Sequence, residues 1–371
     1  MVTTTSPDRR GHSPGPGTTP GSGGTPRGGG PRGWGASLGV LNPFSGRPGP
    51  ELDPDRRGRS TLVDRILDVG IYVALVALVI YFWVASPYFM SERNILDIGS
   101  SVAVTGVLAA GVTAALIAGQ LDLTVGSNIA LTTVVVAVMI GAGIPTLWAV
   151  LAGLASGVVI GLINTVLVVR VGINSIIATI AMSLVIQAVA LILVSGNIKP
   201  IINPALQNFM SDRLAEIPSP VVILIVVYLV SWVILTFTRA GWHVYGVGGN
   251  ANAALRSGIK VNRIYALVFV GSGLLAALGG VITAGTAGSG AGAYGVGDEF
   301  TVLAAVLLGG IGLNGGSGRV QRTLAGVLVI GVINDGLTLL SVGAYYQQLA
   351  QGVIFVLAVV LGAIGERRRA R

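Results

Sequence analysis

Apolar stretches of about 17 to 24 residues recur along this chain, and they limit its fold more than any other feature. A stretch of that length forms a helix that crosses roughly 30 Å of hydrocarbon. Hydrophobic residues make up 52% of the sequence and charged residues only 10%, whereas a soluble domain carries about 25% charged residues. The chain is therefore predicted to fold in a membrane.

The predicted fold is an all-α integral membrane protein of about ten transmembrane helices, with broken or re-entrant segments among them. The spans are placed near residues 68–86, 98–119, 125–142, 146–169, 173–195, 220–238, 264–287, 299–314, 322–341 and 346–364. The second and third spans share a polar joint at residues 119–122. The span at 299–314 is short and rich in glycine, which favours a re-entrant segment.

The distribution of basic residues predicts the orientation. With ten spans, both termini lie on one side, and twenty of the 23 Lys and Arg residues fall on that side. The other side holds only Arg93, Lys199 and Arg213. Basic residues concentrate in cytoplasmic loops, so the N and C termini are predicted to be cytoplasmic. The net charge of +8 thus reflects membrane topology, and no nucleic-acid partner is expected.

The chain is predicted to divide into a tail and a membrane domain. Residues 1–62 are rich in Gly, Pro and Arg and contain no apolar run, so we expect a disordered cytoplasmic tail. Residues 63–371 form the transmembrane domain. Arginines 56, 57, 59 and 65 precede the first span, where they set its orientation or contact anionic membrane lipid. The absence of cysteine excludes disulfides and thiol catalysis.

Three glycines form two overlapping GxxxG steps on one face of the fourth span, namely Gly153, Gly157 and Gly161. Such a face permits close approach of a second helix. The second helix belongs either to the same bundle or to a second subunit.

The loop at residues 239–263 is long and basic and lies on the predicted cytoplasmic side. Asn250 is predicted to cap a short helix over residues 251–256, and Gly258 to stop it. A short helix between two spans either docks into a groove of a soluble partner or lies passively at the membrane surface.

The segment GGNANAALRSGI at residues 248–259 resembles the cytoplasmic coupling segment of ribose-type ABC importer permeases, whose pattern is roughly GGNxxAAxxSGI. In that family the segment docks on the ATPase subunit, so we call the loop at residues 239–263 the coupling loop. The resemblance implies that the ATPase contacts are made by Gly249, Asn250, Ala253, Ala254, Arg256, Ser257 and Gly258.

Three more stretches are similar to motifs of the same family, in the same order. They are the stretch at residues 117–127 (IAGQLDLTVGS), the pair at 161–164 and 177–180, and the glycine-rich run from 304 to 334. The match extends over about residues 68–365. Three features depart from the family pattern: Gln120 replaces glycine, residues 174–176 replace a Pro-Pro-Phe-like turn, and Asp335 replaces asparagine.

Polar residues inside the predicted spans, and in the connection between the second and third spans, are candidates for the translocation pathway, because ionisable groups in a membrane are costly. The candidates are Asp122, Thr124, Asn164, Thr179, Asn334 and Asp335. Asp122 either lines the pathway or accepts hydrogen bonds from the amides that open the next helix. Asp335 either lines a hydrated cavity or packs with Asn334 and nearby backbone.

No arrangement of residues predicts catalysis or metal binding. The literal GxGxxG at residues 310–315 has no βαβ context, and no P-loop lysine motif occurs. The chain is therefore expected to be a permease without its own ATPase, with ATP and Mg bound by the partner subunit and no cofactor of its own.

The resemblance implies an importer in a bacterial cytoplasmic membrane, assembled from two permease copies, ATPase subunits and an external solute-binding protein. The outward loop at residues 196–219 either faces that binding protein or is an ordinary connection. The implied solute is a monosaccharide or similar polyol; nucleosides and branched-chain amino acids are alternatives. A different class of protein, a secondary transporter coupled to an ion through Asp122 and Asp335, is a further alternative.

Overall fold

Helices form most of the part of the chain that the computed structural model describes, which is residues 54–369 for the backbone and 69–360 for the side chains. The helices are α1 (Pro54–Ala85), α2 (Glu92–Ile117), α3 (Val125–Gly141), α4 (Thr146–Thr165), α5 (Ser175–Leu193), α6 (Ala205–Ser211), α7 (Ser219–Phe237), α8 (Arg239–Gly249), α9 (Ala251–Arg256), α10 (Val261–Ala287), α11 (Asp298–Leu308), α12 (Val320–Leu339) and α13 (Ala344–Arg369). A π-helical turn, Val166–Val171, continues α4. The prediction of a disordered tail over residues 1–62 is wrong at residues 54–62, which are helical because the helix of the first span begins before its apolar part. Residues 1–53 lie outside the described residues, and their disorder stays a prediction.

The helices agree with the prediction of an integral membrane protein. Within the described residues, six helical segments are long and apolar enough to cross a membrane: α2, α4 with its π-helical turn, α5, α7, α10 and α12. Three apolar stretches of shorter length lie in α1, α3 and α13. These nine segments coincide with nine of the ten predicted spans. The total number of spans and the side of the termini stay predictions.

The remaining predicted span is broken. Only residues 298–308 of it are helical, and eleven residues rise about 16 Å, roughly half the hydrocarbon thickness. This short helix, α11, follows a non-helical stretch at residues 291–297. The second break lies between α2 and α3, where residues 118–124 form no helix. Both breaks lie where the sequence predicted a re-entrant segment and a polar joint.

Helix α10 lies at the centre of the bundle and packs against α4, α2 and α3. The glycine face of α4 makes this packing close. A Cβ atom on Gly157 would collide with the Gly273 carbonyl of α10, and one on Gly161 would collide with the backbone at Phe269. The face is therefore used for packing within the bundle, as one of the two hypotheses predicted, and it is not free to receive a second subunit.

The outward loop at residues 196–219 is folded against the bundle. Its first strand, β1 (Lys199–Pro200), pairs antiparallel with β4 (Ser289–Gly290), and β2 (Arg213–Leu214) pairs with β3 (Ile217–Pro218). Helix α6 buries Leu206 and Met210 against Gly285 of α10. The loop is thus fastened at two places.

Candidate translocation and coupling site

The coupling loop folds into two helices, α8 and α9, of which the sequence predicted only α9. The Asn250 side chain accepts a hydrogen bond of 2.9 Å from the Ala253 amide and so caps α9. Gly258 has a φ of 83°, which ends the helix, and the Ile259 amide then donates to the Ala254 carbonyl at 3.0 Å. Both the predicted cap and the predicted stop are confirmed.

The seven coupling candidates do not share one environment. Ala254 is buried in the hydrophobic core, so it holds α9 against the membrane domain. The other six candidates are exposed: Gly249, Asn250, Ala253, Arg256, Ser257 and Gly258. Leu255, which the sequence analysis did not select, exposes 60% of its surface on the same short helix. The exposed residues form a surface that is available to a partner.

Four glycines, here called the glycine junction, join the end of α8 to two breaks in the bundle. They are Gly119, Gly248, Gly315 and Gly316. The Gly316 amide donates to the Ile117 carbonyl at 2.8 Å. A Cβ atom on Gly248 would collide with that carbonyl, and one on Gly315 would lie 2.8 Å from the Gly119 Cα. The backbones after α2, before α9 and between α11 and α12 therefore touch directly.

Tyr245 adds a second link between α8 and the connection that precedes α12. Its hydroxyl donates to the Gly318 carbonyl at 2.9 Å. Burial raises the pKa of Tyr245, and the nearby Arg319 lowers it by a smaller amount. The hydroxyl consequently keeps its proton at neutral pH and remains a donor.

The structure brings four pathway candidates together at the break between α2 and α3; we call Asp122, Thr124, Asn164 and Thr179 the joint cluster. Thr124 donates to the Asp122 carboxylate through its hydroxyl at 2.6 Å and through its amide at 3.0 Å. The Asn164 amide group of α4 donates to the Thr124 hydroxyl at 3.1 Å. Thr179 of α5 donates to the Ser175 carbonyl at 2.8 Å and approaches the Leu121 carbonyl at 3.4 Å.

The predicted cap at Asp122 is confirmed only in part. The carboxylate accepts from the amide of Thr124, which is the residue before α3, and Thr124 itself makes no side-chain cap. Asp122 therefore shapes the loop through an Asx turn, without capping the amides of the first helical turn.

Three buried polar atoms around the joint have no hydrogen-bond partner among residues 69–360, whose side chains the structure describes. They are Oδ2 of Asp122, Oδ1 of Asn164 and Oγ of Ser272. Ser272 of α10 adjoins the Asp122 carboxyl, but no hydrogen bond of good geometry joins them. An unpaired buried polar group costs about 1 to 3 kcal/mol. These atoms would gain partners if the joint opened to water or to a polar solute.

The other two pathway candidates lie elsewhere, in what we call the outer cluster: Asn94, Asn334, Asp335 and Gln351. The Asn94 side chain of α2 donates to the Asp335 carboxylate at 2.8 Å. The Gln351 side chain of α13 donates to the side-chain oxygen Oδ1 of Asn334 at 3.0 Å. Asn334 and Asp335 are half-buried. Asp335 thus accepts a hydrogen bond across helices, and its two hypothesised roles, lining a hydrated cavity or packing with Asn334 and nearby backbone, stay predictions.

Sequence reasoning missed two carboxylates at the start of α11. Asp298 and Glu299 are half-buried, and the Glu299 carboxylate lies against Gly126 at the start of α3. Both broken elements therefore meet at this point. The available signal was a pair of adjacent acids opening the shortest predicted span. Among residues 69–360, no group of three or more His, Asp or Glu side chains is placed to hold a metal ion.

Comparison with known proteins identifies the family to which the chain belongs. The family described as "Branched-chain amino acid transport system / permease component" matches residues 94–359. The ribose import permease of Bacillus subtilis is 37% identical over 297 residues, which cover 79% of this chain and 92% of that protein. No solved structure matches significantly.

Permeases named for other sugars are also similar. The D-allose transport system permease of Escherichia coli is 33% identical over 79% of this chain and 90% of its own length. The L-arabinose transport system permease of the same organism is 30% identical over 78% and 89%. The resemblance seen in the coupling loop therefore extends over nearly the whole membrane domain, and the chain belongs to the family of ABC importer permeases that includes the ribose import permeases.

Proposed function

We propose that this chain is the transmembrane subunit of an ATP-driven importer that carries a monosaccharide or similar polyol across a bacterial cytoplasmic membrane. The sugar class is supported by the relatives named for ribose, D-allose and L-arabinose. ATP and Mg bind to the partner ATPase, and this chain holds no cofactor. A second permease copy and an external binding protein complete the importer.

One observation carries this proposal: most residues of α9 are exposed, and α9 is also joined to the bundle through the backbone contacts of the glycine junction. Gly248, which belongs to the glycine junction, lies two residues before Asn250, the cap of α9. A displacement of α9 by a closing ATPase is thus passed to the end of α2 and to the connection between α11 and α12. Because these contacts contain no flexible side chain, little of the displacement is absorbed.

The same contacts lead to the two breaks in the bundle. The end of α2 continues into the Asp122 loop, and α11 begins at Asp298 and Glu299 beside the start of α3. Broken helices of transporters place polar backbone and side chains at the substrate site. We infer that the motion opens the connection between α2 and α3. The unpaired oxygens of the joint cluster then form hydrogen bonds with water or with solute hydroxyls.

The test is uptake of labelled sugars by proteoliposomes that contain this chain with its ATPase and binding protein, with a protonophore as a control. We expect uptake to require ATP and both partners and to survive the protonophore. Gly248→Ala should abolish it, because the added Cβ collides with the Ile117 carbonyl. Gly246→Ala is the matched control, since its Cβ would meet only the Ile259 side chain at 3.8 Å.

Two outcomes separate the alternatives. Uptake by this chain alone, abolished by the protonophore or by Asp122→Asn, would contradict the importer and favour an ion-coupled carrier. If branched-chain amino acids inhibit the ATP-driven uptake and unlabelled sugars do not, the result would favour the solute named in the family description. Nucleosides are tested in the same competition.

A further inference from the structure

A cavity of about 730 Å³ opens between four helices on the side of the coupling loop. Its walls come from α1, the end of α7, α8 and the start of α12. It adjoins the Tyr245–Gly318 hydrogen bond and is separate from the joint and outer clusters. None of its lining residues is among the pathway or coupling candidates.

The lining of this cavity is positively charged. Arg319 and Arg322 both contribute to it, and no described lining residue is acidic. Arg319 is exposed, whereas the Arg322 guanidinium reaches back against Gly310. Val320 and Gln321 open α12 on the same wall, so the positive end of that helix dipole adds to the charge. The cavity therefore favours an anion.

Aromatic side chains form the rest of the wall. Trp232 lies near the end of α7, Tyr72 lies in the apolar part of α1, and Trp242 of α8 exposes 71% of its surface. Tryptophan and tyrosine concentrate at the boundary between hydrocarbon and headgroups because one part of each ring is apolar and another is polar. The cavity thus combines the two environments that a phospholipid requires at one place.

We propose that this cavity binds the headgroup of an anionic phospholipid, with the phosphate at Arg319 and the start of α12 and the glycerol and first acyl carbons along Trp232 and Tyr72. A basic pocket between transmembrane helices on the cytoplasmic side is a recognised arrangement for such lipids. The inference uses the orientation proposed above and does not depend on the solute. Because the wall includes Tyr245 and Gly318, a bound lipid also stabilises the contact between α8 and α12.

The test is lipid binding by the full chain purified in a neutral detergent, followed by the unfolding midpoint as lipid is titrated and by native mass spectrometry. Phosphatidylglycerol should raise the midpoint, and phosphatidylcholine should do so far less. Arg319→Gln should weaken the apparent affinity for phosphatidylglycerol about fivefold, the change expected for one arginine at an anionic headgroup. Arg170→Gln removes an exposed arginine outside the cavity and should leave that affinity unchanged.

Four results would overturn the proposal. The first is equal stabilisation by the two lipids, and the second is an equal loss in Arg170→Gln, which indicates general surface charge. The third is full replacement of the lipid effect by inorganic phosphate, which indicates a site for a free anion. The fourth is an Arg319→Gln variant that binds lipid normally but no longer retains the ATPase, which indicates a protein contact. None of these measurements requires transport, so failure here is distinct from failure of the importer proposal.

Discussion

The joint cluster and the outer cluster each centre on a carboxylate, yet they surround it differently. Asp122 exposes 1% of its surface, and both of its hydrogen bonds come from one neighbour, Thr124. Asp335 is half-buried, and its bond from Asn94 joins two helices. The joint therefore carries buried oxygens without partners, whereas the outer cluster can complete its hydrogen bonds with water.

This difference separates two roles for polar groups inside a bundle. Half-buried pairs such as Asn94 with Asp335 tie helices together at a small cost, because water supplies the missing partners. A sealed group with an unpaired oxygen, such as Asp122, is stable only while the surrounding packing holds it, so it gains most when that packing changes. We therefore expect the joint cluster to respond more strongly to substitution than the outer cluster.

The largest expected effect belongs to the central carboxylates. Asp122→Ala should lower the free energy of unfolding by about 2 to 3 kcal/mol, because the amide and the hydroxyl of Thr124 both lose their acceptor in a closed site. Deletion of the unpaired Asp122 Oδ2 offsets only part of this loss, because two donors of Thr124 stay buried without an acceptor. Asp335→Ala, the matched change, should lower it by about 1 kcal/mol because water replaces the lost partner. Thermal unfolding in detergent measures both variants, and equal shifts would remove the distinction between the clusters.

An intermediate effect is expected for one asparagine of each cluster. Asn164→Ala deletes the donor to Thr124 and also an unpaired oxygen, and these opposing terms should leave a loss of about 1 kcal/mol. Asn334→Ala should cost less than about 0.5 kcal/mol, since only the half-buried bond from Gln351 is lost. Denaturation midpoints compare the two, and a reversed order would contradict the assignment of Asn164 to a sealed site.

The smallest expected effect is the coupling between Asn94 and Asp335. A double-mutant cycle built from Asn94→Ala and Asp335→Ala should give an interaction energy of about 0.5 to 1 kcal/mol. The same cycle for Asn164 and Asp122, which are joined only through Thr124, tests whether the joint acts as a unit. An interaction energy near zero for Asn94 with Asp335 would mean that water replaces this hydrogen bond without loss of stability.

Local features of the fold were predictable because they depend on neighbours in the sequence. The length of the apolar stretches predicted nine segments that coincide with helices, and turn chemistry predicted the cap at Asn250 and the stop at Gly258. The joint at Asp122 was predicted for the same reason, since a charged residue between two apolar runs interrupts both.

Tertiary neighbours were not predictable in this way. The sequence put Asp122, Asn164, Asn334 and Asp335 in one set of candidates, and only the packing of α4 and α12 separates them into two clusters. Glu299 was missed because its significance depends on Gly126, a residue far away along the chain. The resemblance of the coupling loop likewise named the residues of α9 but not the backbone contacts that join them to the bundle.

The glycine junction also limits how this protein can change in evolution. Where two side chains pack, growth of one is often compensated by a smaller residue at the other. Gly248 faces the carbonyl of Ile117 and the amide of Gly316, so its neighbours there have no side chain to shorten. A larger residue at this position has no second-site suppressor among the atoms it touches. Recovery of the packing after such a substitution would instead require a shift of a whole helix. Few substitutions at Gly248 can therefore be tolerated or compensated in evolution.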